Sequence, residues 1–141
     1  MERKATAAWQ GGLKDGKGTL TTESKVLSNT PYSYSTRFEG SPGTNPEELL
    51  GAAHAGCFTM ALSAQLAEAG IKSERIETKA TITFEKLDSG FTITRSHLDV
   101  SVRAPGADRA KFEQGAEKAK TGCPMSKVLR AEISMDARLV D

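Results

Sequence analysis

The chain has 141 residues, 19 of them Lys or Arg and 18 Asp or Glu, for a formal net charge of +1. That length suits one domain spanning residues 1–141, and so even a charge lacks the basic footprint that nucleic-acid binding needs. No apolar run approaches the roughly 20 residues of a membrane span, and no apolar signal core follows the polar start Met1-Glu2-Arg3-Lys4, so a cytoplasmic protein is expected.

The N-terminal third reads as β structure with turns at Gly11-Gly12 and Asp15-Gly16. Residues 18–22 look like a strand, and residues 32–38 alternate as another before the turn-rich stretch 40–44. Thr44-Asn45-Pro46-Glu47-Glu48 then starts a long helix: Asn45 can cap, Pro46 suits the first helical position, and two carboxylates face the positive end of the dipole. Gly70 is its natural stop. Leu49, Leu50, Ala53, Cys57, Met60, Ala61 and Ala64 form one apolar stripe, and Phe58, Leu62, Leu66 and Ala69 a second. A helix apolar over most of its circumference should be buried. It needs more cover than one small sheet supplies, and its small residues around Gly51 and Gly56 allow a close neighbour, which points to a dimer.

The second half opens with a hairpin in which Ile76, Thr78, Ala80, Ile82 and Phe84 share a face and Asp88-Ser89-Gly90 turns. In the return strand Phe91 and Ile93 have one parity and Leu98, Val100 and Val102 the other, so a bulge is expected near Arg95-Ser96. Asp108 can cap a polar helix running to about Lys120. A short helix after Cys123 and a last strand with Ile133, Met135 and Leu139 on one face complete the chain. The fold class is α+β, with a sheet on each side of the buried helix.

Cys57 lies in the apolar interior of the long helix, and Cys123 directly precedes Pro124 at a helix start. In a reducing compartment two cysteines are free, metal-bound or redox-active, and neither they nor His54 and His97 show the paired spacing of a zinc site. Burial raises the pKa of a thiol, so a reactive Cys57 needs a fixed cation, for which Arg37 is the candidate. Arg37 in turn needs a carboxylate, Glu47 or Glu48. Glu47 and Cys57 are ten residues apart on one helix, about 15 Å along its axis, which no guanidinium spans. Either Arg37 meets one of them, or a second subunit supplies part of the arrangement; the second reading is preferred. By capping alone, Cys123 is the more acidic thiol, and Ser126 can hydrogen-bond near it.

Each of these residues has a plainer role as well: Cys57 as a core residue, Cys123 as a cap, Arg37 in a surface ion pair, the two glutamates as partners of the helix dipole. His54, one turn before Cys57, can pair with it or serve as a satisfied polar group. His97 and Trp9 read as structural.

The stretch Ser35-Thr36-Arg37-Phe38-Glu39-Gly40, the run from Thr44-Asn45-Pro46-Glu47-Glu48-Leu49 through Ala53-His54-Ala55-Gly56-Cys57-Phe58, and Thr121-Gly122-Cys123-Pro124 strongly resemble the OsmC/Ohr superfamily of organic hydroperoxide reductases, from Trp9 to the last strand. His54 favours the OsmC branch, since a tyrosine is usual there in Ohr. The resemblance implies antiparallel sheets packed around a long buried central helix in an intertwined homodimer, with sites at the subunit interface. It implies a thiol peroxidase without metal, haem or flavin, acting on organic hydroperoxides and recycled by a dithiol, of lipoyl type from the family. By similarity Cys57 is the peroxidatic cysteine, Cys123 resolves, Arg37 activates Cys57, and Glu47 holds Arg37. This overrules the capping argument for Cys123 as nucleophile. A non-enzymatic redox sensor using the same disulfide, or a binding protein with inert thiols, are the other classes.

Overall fold

The computed structural model describes residues 1–140 and divides the chain into two units, Met1–Leu49 and the remainder from Leu50.

In the first unit Ala5–Gln10 (β1) and Lys17–Thr22 (β2) pair antiparallel, and Thr30–Tyr32 (β3) adds on the other side of β2. Gly18 sits where the Trp9 and Tyr32 rings meet edge to face at 5.5 Å. A Cβ there would come within 2.5 Å of Tyr32 and 2.6 Å of Trp9, so only glycine fits. After β3 the backbone departs from the strand expected over residues 32–38. Tyr34–Phe38 is a short helix, α1, held by a capping box in which Ser33 Oγ accepts from the Thr36 N–H and Thr36 Oγ1 from the Ser33 N–H. These local bonds give residues 33–36 an alternative to sheet pairing. Arg37 is therefore on a helix, not on a strand.

The long helix, Pro46–Glu68 (α2), begins and ends as its sequence implies. Asn45 Oδ1 accepts from the Glu48 N–H at 2.8 Å. At the other end Gly70 takes φ +75°, while its N–H reaches Ala67 O at 3.0 Å and that of Ile71 reaches Leu66 O at 2.8 Å. This is a Schellman motif, and its hydrophobic closure joins Ile71 and Leu66 in the core. The expectation of burial over most of the circumference does not hold within this chain. Gly51, His54, Phe58, Leu62 and Leu66 are buried, whereas Ala53 and Ala64 are exposed and Met60 retains 78% of its accessible surface. Nor does the expectation that no segment matches a membrane span. By length and composition alone, α2 is long and apolar enough for one. Its place in the core of the second unit accounts for the buried part of that apolar character.

That core joins Phe58, Leu62 and Leu66 of α2 to one sheet and one helix. Arg75–Leu87 (β4) and Gly90–Arg103 (β5) form an antiparallel hairpin whose two-residue turn closes on the Leu87–Gly90 pair, with Gly90 at φ +114°. Thr83 pairs with Arg95 but Phe84 with Ile93, so Thr94 is the extra residue of a bulge, one position from where the parity change placed it. Beyond it Leu98, Val100 and Val102 are fully buried. Asp108 caps Arg109–Gly122 (α3) through the Lys111 N–H, and α3 buries Phe112, Gly115, Ala116 and Ala119. Pro124–Val128 (α4) leads to Glu132–Val140 (β6), which pairs with β5 in parallel. This sheet is thus mixed, correcting the antiparallel expectation. The chain leaves β5 at one end, and α3 and α4 carry it back to the other, which is the crossover a parallel pair requires.

Candidate active site

The structure brings the four residues singled out in the sequence together as two pairs, one in each unit. In the first, Arg37 on α1 meets Glu47 in the first turn of α2. Nε donates to Oε1 and Oε2 at 3.1 and 3.2 Å, and Nη2 donates to Oε1 at 2.7 Å. The side chains keep 36% and 12% of their surface, so the carboxylate is the more enclosed member. Charged hydrogen bonds in this fork geometry fix the plane of the guanidinium. Glu48 has a different task, accepting from Thr44 Oγ1 at 2.9 Å, and so the choice between the two glutamates falls on Glu47. Beside Arg37 lies an aromatic hollow of about 250 Å³ lined by Trp9, Leu13, Tyr32, Tyr34 and Phe38. The guanidinium carbon stands 5.2 Å from the Phe38 ring centre.

In the second pair the Cys123 thiol donates to Cys57 Sγ across 3.0 Å, and both cysteines are reduced. A disulfide needs about 2.05 Å, so closing one takes a movement of about 1 Å. Cys123 is fully buried and Cys57 half-buried. Cys123 ends α3 and is the N-cap of α4 with Pro124 after it, as expected, but its side chain makes no capping bond. It turns to Cys57 instead. Burial above all holds the Cys57 thiol above its ordinary range, and its side-chain hydrogen bond with Cys123 raises it further, with a smaller share from charge repulsion between the two sulfurs. The backbone N–H of Met125 acts the other way, favouring the thiolate.

His54 is fully buried one turn before Cys57, and its hydrogen bonds go to two serines: Nδ1 to Ser96 Oγ at 2.6 Å and Nε2 to Ser126 Oγ at 2.8 Å. Burial lowers its pKa, which keeps the imidazole neutral. Ser126 thus serves His54 and not Cys123. Sequence reasoning missed Ser96 and the Met125 N–H. A serine among β-formers carries no functional signal, and a backbone donor has no side-chain signature. His97, read as structural, lies between Asp99 and Asp136, with Nε2 at 3.5 and 3.2 Å from their carboxylates and Nδ1 at 2.7 Å from Ser134 Oγ.

Two facing thiols in an α+β fold with an arginine–glutamate fork define a candidate thiol-redox protein. The chain belongs to the OsmC-like protein family, whose model matches residues 38–138, within the OsmC/Ohr superfamily. It is 52% identical over 139 residues to Peroxiredoxin OsmC of Escherichia coli K12, covering 99% of this chain and 97% of that one. The organic hydroperoxide resistance protein OhrB of Bacillus subtilis is 30% identical over 123 residues, 86% of this chain and 88% of its own. The crystal structure of OhrB superposes with a TM-score of 0.68 at 27% identity, covering 97% and 98% of the two chains. An OsmC-like protein from Mycoplasma pneumoniae shares the fold at a TM-score of 0.77 and 14% identity, over 100% and 99% of the two chains.

Proposed function

We propose that this chain is a thiol peroxidase that reduces organic hydroperoxides to alcohols. The observation that carries the reading is the 3.0 Å approach of Cys57 and Cys123, both reduced, in a chain whose relatives are named for peroxide chemistry. Cys57 thiolate attacks the outer oxygen of the hydroperoxide; the O–O bond breaks, the alkoxide leaves with that electron pair and takes a proton, and Cys57 becomes a sulfenic acid. Cys123 then attacks the oxidised sulfur, forming the disulfide and releasing water. An external dithiol, of lipoyl type, returns both thiols and becomes a disulfide itself.

Arg37, oriented by Glu47, supplies the positive charge that the half-buried Cys57 lacks and donates to the leaving oxygen. The aromatic hollow beside Arg37 favours a bulky organic group over hydrogen peroxide. The working unit is an intertwined homodimer that completes each site and acts in the cytoplasm. The exposed apolar face of α2 and the ten-residue separation of Glu47 from Cys57 support this assembly.

The alternative, a non-enzymatic sensor, rests on the same two sulfurs. A steady-state assay comparing cumene hydroperoxide with hydrogen peroxide, across several dithiol donors, separates the two. Rapid turnover with the organic substrate is expected; a single stoichiometric oxidation without turnover would leave only the sensor.

A further inference from the structure

Helix α4 touches Cys57 twice, through the Cys123 thiol at its N-cap and through the Met125 backbone N–H. It is five residues long and has no side-chain cap to hold its start. Among the described residues, one side-chain hydrogen bond ties its helical residues to another element, that between Ser126 and His54 Nε2 at 2.8 Å. His54 is in turn fixed from behind by Ser96 of β5, a residue with no exposed surface. The three side chains form a buried bridge from β5 through α2 to α4, one helical turn from the reacting sulfur.

We propose that His54 is the positioning residue of the resolving step, holding α4 through Ser126 so that Cys123 stays within reach of Cys57. The inference rests on the peroxidase reading and assigns it a residue that touches neither sulfur. An imidazole suits the task because its two nitrogens bond in opposite directions from one rigid ring, one to the sheet and one to α4. A neutral ring donates at one nitrogen and accepts at the other, and a serine hydroxyl fits either role. The buried setting, which keeps the ring neutral, thus costs it no partner. Cutting the Ser126 end removes the side-chain hydrogen bond that ties its helical residues to another element and leaves α4 held by the packing of Met125 on the core and by its contacts with Cys57 itself. A displacement of about 1 Å at a reacting group can cost on the order of 10²-fold in rate.

Ser126→Ala, His54→Asn and His54→Gln distinguish this role from a purely structural one. The Asn amide replaces Nδ1 and keeps the Ser96 side; the Gln amide reaches the position of Nε2 and keeps the Ser126 side. Single-turnover rapid quench with cumene hydroperoxide, followed by alkylation and mass spectrometry, gives two rates: oxidation of Cys57 and closure of the Cys57–Cys123 disulfide. Closure should slow about tenfold or more in Ser126→Ala and His54→Asn, with the oxidation rate falling far less, and His54→Gln should recover most of it. Circular dichroism and urea titration check that each variant is folded. Closure at the wild-type rate in Ser126→Ala and His54→Asn overturns the proposal, as does an equal fall in both rates that follows stability. If wild-type protein forms a Cys57 sulfenic acid but no disulfide, the positioning role falls while peroxide reduction stands. If Cys57 is not oxidised at all, both fall.

Discussion

Arg37→Ala should lower the rate of Cys57 oxidation by two separable factors. At pH 7 a thiol with the ordinary pKa of 9.0 is about 1% thiolate, and Cys57 is held above that value by burial, so its reactive fraction is smaller still without a cation. A guanidinium within about 4–6 Å lowers such a pKa by roughly 1–3 units. Thiolate abundance rises tenfold per unit, but nucleophilicity falls with a Brønsted slope of about 0.4–0.5, leaving a net factor of roughly 3 to 30. Donation to the leaving oxygen adds on the order of 10²–10³. The combined loss at pH 7 should therefore be about 3 × 10² to 3 × 10⁴. Stopped-flow measurement across pH separates the two parts, because the difference in thiolate abundance vanishes once Cys57 is ionised in both proteins, while the loss of donation to the leaving oxygen persists. Arg37→Lys should recover part of the loss, since an ammonium cannot engage Glu47 through a planar fork. An unchanged pH profile for Cys57 alkylation in Arg37→Ala would remove Arg37 from the mechanism.

Phe58→Ala empties a fully buried site in the core and should cost about 3–5 kcal/mol, read as a fall in the urea midpoint at constant slope. His54 is buried with a lowered pKa, so below its ordinary value of 6.5 the unfolded chain takes up a proton that the native chain refuses. The resulting loss of stability begins near pH 6.5, steepens to no more than about 1.4 kcal/mol per pH unit, and levels off below the native pKa; urea titrations from pH 8 to 4 should show it, reduced in His54→Gln. Sedimentation at low micromolar concentration should give twice the chain mass, and a fully active monomer would rule out the dimer.

Much of the fold is legible because its signals are local. Asn45, Asp108 and Gly70 cap or stop helices with bonds to residues within a few positions, and the parity change between Ile93 and Leu98 announces the bulge. Where two local patterns compete, the reading fails. Residues 32–38 alternate like a strand, yet the Ser33–Thr36 capping box bends them into α1. The direction of β6 depends on the path of α3 and α4, which no residue of β6 records. At the site, the pairing of Arg37 with Glu47 was legible as a charge requirement. The His54 bridge was not, because Ser96 and Ser126 lie 42 and 72 positions away in the chain, Ser96 reads as an ordinary serine and Ser126 reads as a partner for Cys123.

The division of labour between the two sulfurs is tested most directly by intact-mass and peptide mass spectrometry of wild type, Cys57→Ser and Cys123→Ser after one equivalent of cumene hydroperoxide. Wild type should carry an intramolecular Cys57–Cys123 disulfide, Cys123→Ser a sulfenic acid at Cys57 that overoxidises with excess peroxide, and Cys57→Ser no oxidised sulfur. A sulfenic acid on Cys123 in Cys57→Ser, with Cys57 unoxidised in Cys123→Ser, would reverse the assignment.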